Sequence, residues 1–280
     1  RLESAAQAEA SEPLAQTALV PRHLEPAGLW PVVAGNAPKI APDDAILVEP
    51  LAPAVGLSVR GVDLTALTDD LTAMLQDLWQ LGGALLFRGC EDPRLAVASL
   101  CQALVPDTPL TETSTPPGGT GWAMVGADAS TAPPVVCAAG SADTLPALWL
   151  AGMEAAADAL HLTGVEALSE AVGKRFAHHV GGPLHPALVR HAVSGASVLY
   201  PPPRALAEHD GPANALVRHA EQPQFHYRHI WQRGDVFAWD PRAVRSRWEA
   251  LPIDTGAAFI TLQGSSPLQA ASAWPPEPFL

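Results

Sequence analysis

His226 and His229, in the segment FHYRHIW, are of the residue type that binds metals or moves protons. On a strand, residues three apart point to opposite faces. The pair serves one metal only across a bulge, and otherwise sits at the surface or the core edge. Arg242, Arg245 and Arg247 follow in PRAVRSRW. Guanidinium forks grip carboxylates and phosphates, so this trio is a candidate anion site, for instance for the phosphate of a carrier-protein arm. The alternative is a solvated loop on an acidic protein. Asp128 makes an implausible lone metal ligand but a conceivable general base in an apolar cavity. Cys137 reads as a nucleophile or, more simply, as a small core hydrophobe. His178 and His179 follow a helix with Lys174 and Arg175, where cations complement the helix dipole. Trp122, Trp149, Trp231, Trp239 and Trp248 line a cavity or pack a core.

The elements that must hold these residues are legible in outline. Residues 46–64 form two short strands around a Pro/Gly turn. Thr68 caps a helix with Asp69 and Asp70 in its first turn and Gly82-Gly83 at its end. Residues 84–87 are a buried strand. Asp92-Pro93 opens a helix that runs to about residue 104. Residues 105–132 read as a long loop, and 135–139 as a strand. Residues 149–160 and 163–176 read as helices. Residues 183–200 read as a hairpin turning at Ser194-Gly195, 211–221 as a helix, and 257–262 as a last strand. Between them, residues 223–239 read as a second hairpin. Its first arm alternates, Gly234-Asp235 marks the turn, and the buried second arm ends in Trp239-Asp240.

The chain has 280 residues, 48% of them hydrophobic, enough to bury a large core; Pro 29 and Gly 22 imply many turns and loops. A net charge of −13, with lysine only at Lys39 and Lys174, argues against nucleic acid as a partner. No apolar run is long enough to span a membrane. Cys90, Cys101 and Cys137 stand singly, which fits a reducing cytoplasm. Residues 1–45 and 265–280 are Ala/Pro-rich. They read as linker or extension around a domain at 46–264, either part of a larger polypeptide or ordinary termini, with a short helix possible at 2–18.

Taken in order, PLAPAVGLSVRGVDL, LGGALLFRG, ALWLAGMEAAADAL, LHPALVRHAVSG and FHYRHIWQRGDVFAWDPR resemble the taurine dioxygenase (TauD/TfdA-like) family. These are iron(II)- and 2-oxoglutarate-dependent dioxygenases. The resemblance implies a mostly β, α+β fold, a double-stranded β-helix (cupin-like jelly roll) braced by helices. It also implies two His and one carboxylate on iron, with a basic anchor for 2-oxoglutarate. His185 and His191 match positions in the family's His-Pro and Val-Arg hairpin, where their role is mostly structural. The family's His-x-Asp falls on Ala123 and Val125 when the match is anchored on Trp122, or on Met124 and Gly126 when anchored on Pro133-Pro134. The distal His falls on Ser246, the co-substrate Thr on Ala147 and the 2-oxoglutarate Arg on Phe259. Register does not rescue these losses. No histidine lies between His23 and His161 or after His229, and no Lys or Arg follows Arg247.

Two function classes follow. In the first, the fold has lost iron and 2-oxoglutarate and keeps a structural or docking role, with a carrier protein, neighbouring synthase domains or a second copy as partner. In the second, a metal-independent isomerase, cyclase or lyase reuses the cavity, with Asp128 paired to His226, His229 or an arginine of the 242–247 trio. An iron enzyme with unusual ligands is a third alternative. No cofactor is expected in the first two classes.

Overall fold

A computed structural model describes residues 46–106, 110–113, 135–140, 145–162, 166–177, 180–182, 184–191, 193–208, 210–250, 258–262 and 269–270. The described residues open with a hairpin, β1 (Leu47–Ala52) on β2 (Val55–Arg60). Helix α1 (Asp69–Gly82) starts where Thr68 Oγ1 accepts from Leu71 N and ends at Gly83, whose φ of 63° is left-handed. Strand β3 (Ala84–Phe87) leads to α2 (Pro93–Leu104), capped by Asp92. Next come β4 (Leu110–Thr113), β5 (Val136–Gly140), β6 (Leu148–Gly152), α3 (Met153–Asp158) and α4 (Glu166–Val172). Four short strands follow: β7 (Arg175–Ala177), β8 (Leu184–Pro186), β9 (Leu188–Arg190) and β10 (Ser197–Leu199). The remainder is α5 (Arg204–Ala207), α6 (Gly211–Ala220), β11 (His226–His229), β12 (Asp235–Trp239), β13 (Val244–Trp248), β14 (Ala258–Leu262) and β15 (Gln269–Ala270).

A seven-stranded sheet runs β1-β2-β3-β12-β5-β14-β4, and a three-stranded sheet runs β11-β6-β13. The large sheet alternates by period two, as a sheet covered on both sides must. Leu85, Phe87, Cys137, Ala139, Val236 and Ala238 pack on α1 and α2. Ala84, Leu86, Val136, Ala138, Phe237 and Trp239 face a second core shared with Leu148, Leu150, Val244 and Trp248 of the small sheet. At about 25 cal/mol per Å² of apolar area, burial of this size on two faces is the main stabilising term.

Several expectations are corrected. Residues 223–239 are not a paired hairpin. β11 pairs with β6 in the small sheet, whereas β12 lies between β3 and β5 in the large one. Gly234, at φ 81°, and the Cys90 N–H on Gly234 O (2.8 Å) hand the chain across. Residues 149–152 are strand, not helix, because β6 is paired on both sides. Gly152 ends it, and a Cβ there would sit 1.9 Å from Ala54 O. The helix expected over 163–176 is the shorter α4, followed by β7. The loop expected over 105–132 contains β4. The segment carrying Arg245 and Arg247 is a strand rather than a solvated loop. Among the described residues no helix is long and apolar enough to cross a membrane.

Candidate functional site

The small sheet sorts the candidate residues by face. Its register aligns Tyr227 with Leu150 and Ser246 in one row, Arg228 with Trp149 and Arg247 in the next, and His226 with Ala151 and Arg245 in another. Alternation turns Val244, Ser246 and Trp248 inward and Arg245 and Arg247 outward. Ser246 is 1% exposed, and its Oγ has no hydrogen-bond partner among the described residues. Around this inner face runs a chain of aromatic contacts. Trp231 stacks on Trp248 at 6.1 Å, Trp248 meets Trp239 edge-on at 6.4 Å, and Trp239 meets Phe237 at 6.2 Å. His229 closes the chain, 4.5 Å from Trp231 and 4.9 Å from Phe237. Such pairs add about 0.5–1.5 kcal/mol each beyond area burial.

His226 and His229 do point apart. His226 is half-buried beside Trp149 on the outer face, and burial is the main reason its pKa falls below the usual imidazole value. His229 is fully buried inside, so the surface or core-edge reading is corrected for it. Its Nε2 lies 3.2 Å from Asp235 Oδ2, an ion-pair distance without hydrogen-bond alignment. Asp235 also accepts from Arg88 (3.1 Å) and from Gln232 N (2.8 Å), and the Tyr227 hydroxyl lies 3.4 Å from His229 Nδ1. Burial pushes the His229 pKa down against the Asp235 carboxylate.

The arginine trio is not one anion cradle. Arg242 donates through Nε (2.9 Å) and NH2 (2.6 Å) to Asp240, and is itself buried. Arg245 is buried on the outer face toward Glu221, and burial pulls its pKa down to about 10. Arg247 lies over the Trp149 ring, 5.3 Å from its centroid. Trp149 is therefore an outer-face residue; its indole N–H donates to Glu249 (3.0 Å), which Arg228 grips at 2.6 and 2.9 Å. Ala147 is half-buried, and its carbonyl accepts from Glu249 N (3.0 Å). Cys137 is buried against α2, and desolvation raises its pKa well above the thiol range, which fits a core residue rather than a nucleophile. Phe259 lies on β14 opposite Thr113 and Ala138. Trp122, Ala123, Met124, Val125, Gly126, Asp128, His178 and His179 lie outside the described residues.

A second titratable cluster escaped sequence reasoning. Asp240, 2% exposed, holds Arg242 on one side and His191 Nε2 (2.9 Å) on the other. Burial works to raise the Asp240 pKa, but the Arg242 and His191 hydrogen bonds outweigh it and hold the carboxyl below its usual range. His191 Nδ1 lies 3.0 Å from Ser194 Oγ, and Ser194 Oγ lies 3.3 Å from Glu154 Oε1. Burial raises the Glu154 pKa against the His191 charge and the Ser194 hydrogen bond. The sequence signals were present in VRHAVSG and Trp-Asp, but only as turn markers; the 49-residue separation hides their meeting.

No model of a known protein family matches the sequence, and no curated protein is similar to it. Solved structures do match. The chain superposes on the crystal structure of AAD-2 in complex with Mn(II) and N-oxalylglycine with a TM-score of 0.63 at 17% identity, over 80% of this chain and 99% of that one. A taurine dioxygenase from Burkholderia xenovorans gives 0.60 at 22% identity, over 79% and 92%. The chain has the taurine dioxygenase fold. In that fold the resemblance assigns a metal-binding His to Ser246. Of the metal-ligand positions the resemblance assigns, only Ser246 lies among the described residues. A serine hydroxyl is a weak donor for iron(II), and this one faces Leu150 and the tryptophan-lined core. Among the described residues, no three His, Cys, Asp or Glu side chains gather at metal-binding spacing.

Proposed function

We propose that this is a double-stranded β-helix of the taurine dioxygenase type that has left iron and 2-oxoglutarate chemistry and serves as a structural or docking domain. The observation that carries the reading is Ser246. The resemblance assigns it the distal-ligand position, and among the described residues it is inward-facing, without a polar partner, in a core packed with Trp231, Trp239 and Trp248. A neighbouring synthase domain, a carrier protein or a second copy is the partner class expected from the Ala/Pro-rich flanks.

The test is direct. Purified protein with iron(II), ascorbate, oxygen and 2-oxoglutarate is expected to yield no succinate above the protein-free control. Iron-dependent succinate formation overturns the reading. Ser246→His sharpens it: restoring the family's side chain is expected to cost about 1–3 kcal/mol by overpacking and to gain no iron. Urea denaturation and metal analysis read the two outcomes.

A further inference from the structure

We propose that Cys101 and Cys137 are a redox-sensitive clamp: a small peroxide joins them as an intramolecular disulfide that ties α2 to the large sheet. This goes beyond the docking reading and is independent of the loss of iron.

Both cysteines carry free thiols, and both are 0% exposed. They come from different elements. Cys101 lies on the buried stripe of α2 with Val97, Leu100 and Leu104, the spacing of one helix face. Cys137 lies on β5, between Ala238 of β12 and Ile260 of β14. α2 packs on β5, and one core cluster holds both residues. There the two thiols share a hydrogen bond. Thiols in contact are one bond from a disulfide, and that product adds no atom to a close-packed core. A sulfinic acid or a mixed disulfide adds bulk that such a core resists.

In the closed fold the pair is at rest. Burial is the main reason the Cys137 pKa stands well above the thiol range, so its sulfur stays protonated. The pair reacts when α2 lifts, and the two elements are held differently. β5 is hydrogen-bonded to a strand on each side and stays in place. A helix keeps its backbone bonds within itself. α2 is held by packing and by the Gln76 amide, which donates to Ala103 O at 2.8 Å. Local opening of α2 therefore exposes Cys101 without breaking the sheet.

The step balances. Cys101 gives its proton to water, and its thiolate attacks one oxygen of hydrogen peroxide. The O–O bond breaks, Cys101 becomes a sulfenic acid, and the departing hydroxide recovers a proton as water. The Cys137 sulfur then attacks the Cys101 sulfur. The S–O bond breaks, and its oxygen leaves as a second water with the Cys137 proton. Two thiols are oxidised to one disulfide, and one peroxide is reduced to two waters.

The test treats wild type, and Cys90→Ser with only this pair left, with hydrogen peroxide. The protein is then unfolded, alkylated with iodoacetamide and mapped by mass spectrometry without reductant. The peptides carrying Cys101 and Cys137 are expected as one linked species, lighter by two hydrogens. The melting temperature is expected to rise by roughly 5 °C or more, because the bond closes residues 102–136 into a loop. In Cys101→Ala, Cys137 is expected to remain an alkylatable thiol over the same exposure, since β5 does not open. Two free thiols after treatment, sulfinic acid in place of the link, or a link that forms only in urea each overturns the proposal. So does an oxidised form that melts no higher than the reduced one.

Discussion

Asp235 and Asp240 stand at the two ends of β12, each buried with a histidine and an arginine, yet the two clusters are built in opposite ways. At Asp240 the arginine is local, two residues on, and the histidine arrives from 49 residues away. At Asp235 the histidine comes from the preceding strand, and Arg88 arrives from 147 residues away. Arg242 is sealed at 6% exposure, while Arg88 keeps 29%. The imidazoles differ as well. His229 is walled in by Trp231 and Phe237, so its cluster braces the core. His191 keeps one nitrogen turned toward a surface serine. Burial alone does not mark a candidate site: one cluster is closed off by aromatic rings, and the other reaches a surface turn.

The largest expected effect is at Asp240. Asp240→Ala strands the buried Arg242 guanidinium and is expected to cost about 3–5 kcal/mol in urea denaturation. Asp235→Ala is expected to cost less, about 1–3 kcal/mol, because water reaches Arg88. Equal losses would break the comparison.

The next effect is in pH dependence. The folded His229 pKa lies below its unfolded value, so the unfolded chain binds the extra proton first. Stability is therefore full above the unfolded value near 6.5 and is lost as pH falls through the folded one. The shifts of His219 and His226 act in the same direction. Thermal unfolding between pH 7.5 and about 5 is expected to show this decline, and His229→Phe is expected to flatten part of it.

The smallest effect is at Glu154, where the sign reverses. Its folded pKa is raised, so its contribution is full below the unfolded value and is lost as pH rises through the folded one. Glu154→Gln is expected to match the wild type in acid and to exceed it by about 1 kcal/mol at pH 8, the scale of one hydrogen bond.

Much of the fold was legible because its signals are local. Thr68, Asp92-Pro93 and Gly83 announce α1 and α2 through capping and left-handed backbone. The apolar runs at β3 and β12 announce strands covered on both faces. The misreadings were of context. ALWLA has the composition of a helix and becomes β6 only because β11 and β13 flank it. Residues 244–248, with alternating arginines, look like a loop until β6 is there to pair with them.

The sequence by itself determined that no histidine stands after His229, whatever the register. It also determined the period-two faces that turn His226 and His229 apart. Only the tertiary structure decided that Arg242 is spent on Asp240, and that His191, 49 residues earlier, meets the same carboxylate. A hydrogen bond depends on distance in space, and no local pattern of residues encodes a contact made by two turns on different strands.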